Sequence, residues 1–262
     1  MTRYSLPTLN WLDLPGGGPR FSLEEILDAA AAAGFASVGL DGVTAAGVAD
    51  IAGTLRARGL ACTDVGILVL GPDAAADAER LATLARASGA TTCLVAWPAG
   101  VDGYSALEAS ADILSSSRVR LALEFFPYGA LPTLESALAA CEAVGWDRCG
   151  VLLDTWHFFR GGEPWDLLRS LDPEQIAIVH ANDAPAMVGD DLSYESRHRR
   201  LPMGCGTFAI AEFVSAINAL GYRGIISPEV LSTTFREQDP LEGARTLMDA
   251  LRTHWPTKTS KV

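Results

Sequence analysis

Short apolar runs alternate with alanine-rich helical stretches through the whole sequence, and the alternation occurs eight times. The runs are continuously apolar, which is typical of parallel strands that are covered on both faces. The predicted strands are Tyr4–Leu9, Ser37–Gly42, Leu60–Leu68, Thr91–Trp97, Val119–Phe126, Gly150–Asp154, Gln175–Asp183 and Gly224–Val230. The pattern predicts an α/β fold, either an open doubly wound sheet or a closed barrel, and periodicity alone does not choose between them.

Helix start and stop signals lie between these strands. Ser22 and Glu25 form a capping box at the start of one helix, and Gly34 stands where it ends. Asp239 followed by Pro240 opens the last helix. The predicted helices before it are Ser22–Ala33, Val43–Gly59, Asp73–Ser88, Tyr104–Ser115, Leu134–Val144, Trp165–Ser170 and Phe208–Leu220.

The length and charge of the chain limit its class. A chain of 262 residues suits one (β/α)₈ barrel, so residues 1–262 are predicted to form a single domain with a polar tail at about 255–262. The net charge of −12 argues against nucleic-acid binding, since phosphate recognition needs a basic surface. We expect a small-molecule substrate. The sequence leaves the oligomeric state open and is compatible with a homo-oligomer.

Cysteine usage and hydropathy indicate a compartment. The five cysteines are dispersed without a CxxC pair, which is typical of reduced thiols. The N-terminus lacks the apolar run of a secretory signal, and no stretch reaches the length of a membrane span. These observations predict a cytoplasmic protein that does not associate with membranes.

Four consecutive strands in the second half of the chain each end in a side chain that can bind a metal. These residues are Glu124, Asp154, His180 and Glu229. In a barrel the carboxyl ends of the strands meet at one mouth, where the active site lies. Three carboxylates there would repel one another, and a divalent cation would relieve that repulsion. Their position at successive strand ends favours the closed barrel and a metal site over four unrelated polar residues.

The donor set limits the metal. Three carboxylates and one imidazole suit Mn²⁺, Mg²⁺ or Co²⁺, with Zn²⁺ as an alternative. We therefore expect one divalent ion per chain, with Mn²⁺ preferred.

The ordered pattern E…D-x-x-H…H-x-x-D…R-x-x-x-G-x-G…E resembles the sugar-phosphate isomerase/epimerase superfamily, the xylose-isomerase-like TIM barrels. The resemblance covers essentially the whole chain and is strongest from Leu121 to Val230. It implies that the four strand-end residues ligate the metal. It also implies that Glu124 and Glu229 exchange protons on opposite faces of the substrate, and that His157 and Arg200 hold substrate oxygens. Arg199 is an alternative to Arg200, because the two are neighbours in the basic RHRR segment.

Aromatic residues at the strand ends set this sequence apart from the sugar enzymes. The aromatic residues at or near predicted strand ends are Trp11, Trp97, Phe125, Phe126, Trp156 and Phe158, and some of the six must belong to the core. Trp97, Phe126 and Trp156 are predicted to contact the substrate. After Glu124 comes FFPYGAL, where sugar-handling relatives tend to place polar residues. This surface suits a flatter or less hydroxylated substrate than a free hexose.

These features favour a metal-dependent isomerase or epimerase that acts on a hydroxy-carbonyl compound. The alternative within the superfamily is a dehydratase for a keto-cyclitol or dehydroshikimate-like ring. A non-catalytic barrel would have no need of four ligands, and the apurinic-endonuclease branch needs more than four histidines. A dinucleotide-binding fold is disfavoured, since the glycine run at 16–18 does not join a strand to a helix. The long polar connection Asn182–Gly206 is predicted to act as a lid over the site.

Overall fold

The computed structural model describes residues 3–13 and 16–256. Eight parallel strands follow one another in chain order around a closed barrel, and β8 pairs with β1. The strands are β1 (Arg3–Pro7), β2 (Ser37–Asp41), β3 (Ala61–Val69), β4 (Thr92–Ala96), β5 (Arg120–Glu124), β6 (Cys149–Asp154), β7 (Ile176–His180) and β8 (Ile225–Ser227). The barrel prediction is confirmed, and the open sheet is excluded.

Helices connect the strands, and most of them cover the outside of the barrel. They are α1 (Leu23–Ala33), α2 (Ile51–Arg56), α3 (Ala74–Ser88), α4 (Tyr104–Ser115), α5 (Leu134–Val144), α6 (Thr155–Gly161), α7 (Trp165–Arg169), α8 (Leu192–His198), α9 (Ile210–Ala219) and α10 (Pro240–His254). The capping box of Ser22 and Glu25 is present, and Gly34 ends α1 in the left-handed conformation. Local side-chain chemistry therefore sets these helix ends as predicted.

The predicted helix Val43–Gly59 is wrong over its first half, where the chain forms turns. Gly47 has a φ of 81°, which an α-helix does not accommodate. Asp50 then accepts the Gly53 N–H at 2.8 Å, so that α2 begins only at Ile51. Gly47 and Asp50 therefore decide where this helix begins, although the alanine-rich composition of the segment favours helix throughout.

The last predicted strand is also shorter than expected, and Glu229 lies two residues beyond its end. Asn10, just after β1, holds the segment that carries Glu229. Its amide nitrogen donates to the Pro228 carbonyl at 3.0 Å, and its oxygen accepts the Val230 N–H at 2.8 Å. A residue from the start of the chain thus positions Glu229 at the mouth.

The core has two layers. Inside the barrel, side chains from four neighbouring strands pack together, namely Leu94, Ala122, Leu152 and Ile178. Between the strands and the helices lies a much larger apolar layer. Trp255 belongs to this layer with 1% exposure, so the predicted polar tail does not begin at 255. Residues 257–262 of that tail lie outside the described part of the chain.

Across the described ranges, the structure has no helix with both the length and the apolar character needed to cross a membrane.

Candidate metal centre

The four predicted ligands converge at the carboxyl ends of the strands. Each can offer one ligand atom such that all four atoms lie within 4.8 Å of one another. Asp154 and His180 are direct cross-strand partners, while Glu124 ends β5 on one side of them. Glu229 closes the group from the other side, after β8. The parallel register of β5 to β8 therefore assembles this cluster.

The carboxylates of the cluster are buried, so their negative charges need a positive charge nearby. Asp154, His180 and Glu229 are at most 4% exposed, and the Glu124 side chain is 15% exposed. Among the described residues, the buried guanidinium of Arg200 approaches the cluster most directly. Its Nη1 donates to Asp154 Oδ2 at 2.6 Å and to Glu229 Oε2 at 2.8 Å.

Local hydrogen bonds fix the orientation of Asp154. Its Oδ1 accepts the backbone N–H groups of Trp156 at 2.6 Å and of His157 at 3.3 Å, so the same carboxylate caps α6. The Asn182 amide donates to both of its oxygens at 3.2 Å. Burial favours the neutral carboxyl, but Arg200 and the neighbouring histidines lower the pKa of Asp154.

His180 lacks the partners that a buried imidazole requires. Nδ1 lies 3.3 Å from Glu229 Oε1, yet neither ring nitrogen makes a hydrogen bond of good geometry. Burial opposes its protonation, but the surrounding carboxylates, chiefly Glu229, raise the pKa of His180 to about 9. An unsatisfied imidazole among three carboxylates fits a divalent cation, which would use a ring nitrogen and neutralise the acids.

A cavity of about 410 Å³ opens above the cluster. Glu124 and Glu229 line it, whereas Asp154 and His180 are not among its lining residues and lie behind the two glutamates. Its walls are largely apolar and include Ile67, Pro98 and Phe126. The cavity is of a size that suits a small cyclic substrate. A larger groove of about 640 Å³ lies between α2 and α3, and none of the four cluster residues lines it.

His157 and Arg200 both line the cavity of about 410 Å³ above the cluster. His157 Nε2 lies 3.3 Å from Glu124 Oε1 and 3.3 Å from Arg200 Nη2. Arg199 instead pairs with Glu195 at 3.3 Å and does not line the cavity. The structure thus brings Arg200, and not Arg199, to the cluster.

The three aromatic residues predicted to contact the substrate, Phe126, Trp156 and Trp97, differ in their position relative to the cavity. Phe126 lines the cavity, 5.6 Å from the His157 ring. Trp156 is fully buried behind it, with the Arg200 guanidinium 5.8 Å from its ring centroid, so it supports residues of the site. Trp97 lies outside the cavity lining, because its indole N–H donates to the Val101 carbonyl at 2.9 Å and its ring packs on Tyr104. The structure therefore corrects the expected substrate contacts of Trp97 and Trp156.

The long connection Asn182–Gly206 is folded onto the site. Asp183 anchors its end by accepting the N–H groups of Gly204 at 3.2 Å, Gly206 at 2.9 Å and Phe208 at 3.0 Å. A side chain at Gly206 would come within 2.3 Å of the Ala184 carbonyl oxygen. These contacts explain why glycine stands at 204 and 206, because the backbone at both positions must approach the Asp183 carboxylate closely.

Sequence reasoning missed several residues of the site. Tyr128 lines the cavity, and its ring lies 4.9 Å from that of Phe126. Asp64, in the middle of β3, shares a small cavity with Glu229, and burial raises the pKa of its carboxyl. Tyr128 was visible in the FFPYGAL segment, and Asp64 is the single charged residue of an otherwise uncharged strand.

Comparisons with known proteins agree with this geometry. The chain is similar to an inosose isomerase of Halalkalibacterium halodurans, 28% identical over 149 residues, which are 55% of this chain and 52% of that protein. It is similar to a 3-dehydroshikimate dehydratase of Pseudomonas putida, 36% identical over 104 residues, 38% of this chain and 16% of that protein. The matches thus span about half of the first relative and a small part of the second.

Among solved structures, the fold is similar to that of the IOLI protein, described with a bound zinc atom. The TM-score is 0.83 at 16% identity, over 97% of this chain and 100% of that chain. A family model described as the xylose isomerase-like TIM barrel matches residues 27–254. The chain therefore belongs to the xylose isomerase-like TIM barrel family.

Proposed function

We propose that this protein is a divalent-metal-dependent isomerase or epimerase for a cyclic hydroxy-ketone. Glu124, Asp154, His180 and Glu229 would hold one ion, with Mn²⁺ preferred for this oxygen-rich set. When bound, the ion would supply Lewis-acid polarisation of the substrate carbonyl.

One observation carries the proposal: the two glutamates of the cluster line the cavity, and they come from strands that are not neighbours. Glu124 follows β5 and Glu229 follows β8, with Asp154 and His180 between and behind them. A substrate above the cluster would have a carboxylate on each side. One carboxylate can remove the proton next to the carbonyl. The other can return a proton to the opposite face of the same carbon, which gives the epimer, or to the former carbonyl carbon of the enediol, which gives the isomeric ketone.

The remaining polar residues of the cavity would position the substrate. His157 and Arg200 contact each other at 3.3 Å and both face the cavity. The imidazole can donate or accept a hydrogen bond, while the guanidinium only donates. Together they would orient the carbonyl and hydroxyl oxygens of the substrate between the two glutamates.

Deuterium incorporation tests the proposal. The Mn²⁺-loaded protein is incubated in D₂O with an inosose and, separately, with 3-dehydroshikimate, and the recovered compounds are analysed by NMR. We expect deuterium at the carbon next to the carbonyl, together with the isomerised product. Absence of exchange with both ketones in the metal-loaded protein would contradict the proposal.

A dehydratase is the second candidate, and the walls of the cavity favour it. Ile67, Pro98, Phe126 and Leu231 offer few partners for the hydroxyl groups of a polyol. Removal of the same proton followed by loss of hydroxide would give a flatter, conjugated product. An aromatic or enone absorbance in the same incubation would assign this outcome, whereas an isomeric ketone would assign the first.

A further inference from the structure

The basic segment at residues 197–200 contains three arginines, and they differ in whether a carboxylate lies close enough to pair with the guanidinium. Arg200 donates to Asp154 and Glu229, and Arg199 lies 3.3 Å from a carboxylate oxygen of Glu195. Arg197 has no carboxylate oxygen within 4.0 Å among residues 3–13 and 16–256. It is therefore the arginine of this segment that keeps a free positive charge, in a protein whose net charge is −12.

Arg197 also faces the substrate cavity. It lines the cavity together with Ser193 and Ser196, and all three residues lie on α8. Its Nη2 donates to the Ser193 hydroxyl, while its Nε is buried and has no hydrogen-bond partner. A buried donor without a partner is unfavourable, so a bound acceptor would be favoured at this position.

The surroundings of Arg197 hold it in place and add positive charge. The buried Arg236 donates from Nη2 to the Arg197 carbonyl at 2.8 Å, which fixes the backbone at this point. Burial, Arg236 and Arg197 together lower the pKa of the neighbouring His198. Arg236 does not line the cavity, so the guanidinium groups that a ligand would meet are those of Arg197 and of Arg200, and Arg200 is already paired with Asp154 and Glu229.

We infer that the cavity binds a substrate that carries a carboxylate, and that Arg197 is the residue that recognises it. The inference rests on the proposed function and narrows its substrate class to a cyclic hydroxy-ketone acid. A guanidinium matches a carboxylate in shape, with two parallel N–H donors, and one free cation balances one negative charge. Phe126 and Tyr128 line the same cavity with two aromatic rings tilted by 47° to each other, and these apolar surfaces suit a ring between the carboxylate and the metal-binding oxygens. A neutral polyol would leave Arg197 without an acceptor of matching charge.

A pair of probes of nearly equal shape, in which a neutral amide replaces the carboxylate, tests the inference. Binding of 3,4-dihydroxybenzoate and of 3,4-dihydroxybenzamide to the Mn²⁺-loaded protein is measured by titration calorimetry. We expect the benzoate to bind roughly 10- to 100-fold more tightly than the benzamide, as for a hydrogen bond to a charged group. In Arg197→Gln this ratio should fall to about one, and Arg197→Lys should retain part of it.

Arg199→Gln is the matched control, because it removes a positive charge two residues away without lining the cavity. It should keep the full preference for the benzoate. Circular dichroism and metal content establish that each variant is folded and loaded. A folded Arg197→Gln protein that still prefers the benzoate would overturn the inference, and so would a wild type that binds both probes equally or neither. Displacement of the benzoate by micromolar inorganic phosphate would reassign the site to a phosphate and overturn it as well.

The two proposals can fail separately. Deuterium exchange in neutral cyclic ketones, without any preference for the benzoate, would overturn the carboxylate site and leave the proton-transfer function standing. An Arg197-dependent preference for the benzoate, without exchange in any ketone, would overturn the function and leave the carboxylate site standing.

Discussion

The Nη1 atom of Arg200 lies 2.6 Å from Oδ2 of Asp154, one of the four residues proposed to hold the metal. The same nitrogen lies 2.8 Å from Glu229 Oε2, so one guanidinium bridges two of the four candidate ligands. Burial disfavours the charged guanidinium, but these carboxylates raise the pKa of Arg200. Arg200 therefore supplies positive charge that the buried acids need, in addition to facing the cavity.

Removal of this charge should destabilise the protein most when no metal is bound. Arg200→Met leaves two buried carboxylates without their cation, and breaking a buried pair in this way costs about 3–5 kcal/mol. Urea unfolding in EDTA should show this loss, and saturating Mn²⁺ should reduce it. Arg169→Met is the control, since it removes a half-exposed pair worth less than about 1 kcal/mol. An equal loss with and without Mn²⁺ would contradict the electrostatic role.

Metal binding should depend on His180 and not on the other histidines of the mouth region. His180→Ala removes one of four ligands and should lower bound metal well below one equivalent per chain. His198→Ala removes a histidine that contacts Thr233 outside the cluster and should keep its metal. Elemental analysis after dialysis distinguishes the variants. Full metal content and unchanged affinity in His180→Ala would refute the assignment.

Metal affinity should rise with pH up to about 9. The pKa of His180 is raised to about 9, so its imidazole is protonated at pH 7 in the metal-free protein. A metal needs the deprotonated nitrogen, and binding below pH 9 therefore releases about one proton. Calorimetry in buffers of different ionisation enthalpy measures this number. A value near zero at pH 7 would show that the imidazole is already neutral.

Glu124 and Glu229 should each be required for proton transfer beyond any part in metal binding. Glu124→Gln and Glu229→Gln keep a possible oxygen ligand but remove the base, and loss of a general base costs about 10²–10⁴ in turnover. Each variant should retain much of its metal, and one should still exchange the substrate proton with D₂O. Glu142→Gln is the control, because it makes the same substitution on the exposed face of α5 and should keep normal turnover. Normal turnover in both metal-loaded variants would rule out the two-base mechanism.

Asp183 should determine whether the connection Asn182–Gly206 stays closed over the site. Asp183→Ala removes the acceptor of four backbone N–H groups, those of Ala184, Gly204, Gly206 and Phe208. We expect faster proteolysis within this connection and a higher KM, because Arg197 and Arg200 lie on it. Ligand-dependent protection from proteolysis in the wild type would support its role as a lid. Cleavage at the wild-type rate in Asp183→Ala would argue against the anchor.

The sequence by itself determined the barrel and the convergence of the four candidate ligands. Continuous apolar strands separated by capped helices specify parallel pairing, and parallel neighbours place their carboxyl ends at one mouth. Glu124, Asp154 and His180 end three successive strands, so their proximity follows from strand order alone. The capping residues of α1 and α10 acted locally and could likewise be read from the chain.

Only the tertiary structure decided which side chains face the cavity. Arg199 and Arg200 are adjacent in sequence, yet Arg200 reaches Asp154 while Arg199 turns to Glu195. Trp97 and Phe126 both lie near strand ends, but the loop after β4 draws the Trp97 indole away through Val101. The direction of a side chain beyond a strand end depends on contacts with residues far along the chain. Asn10 illustrates this, since it holds the Glu229 segment across a separation of 218 residues.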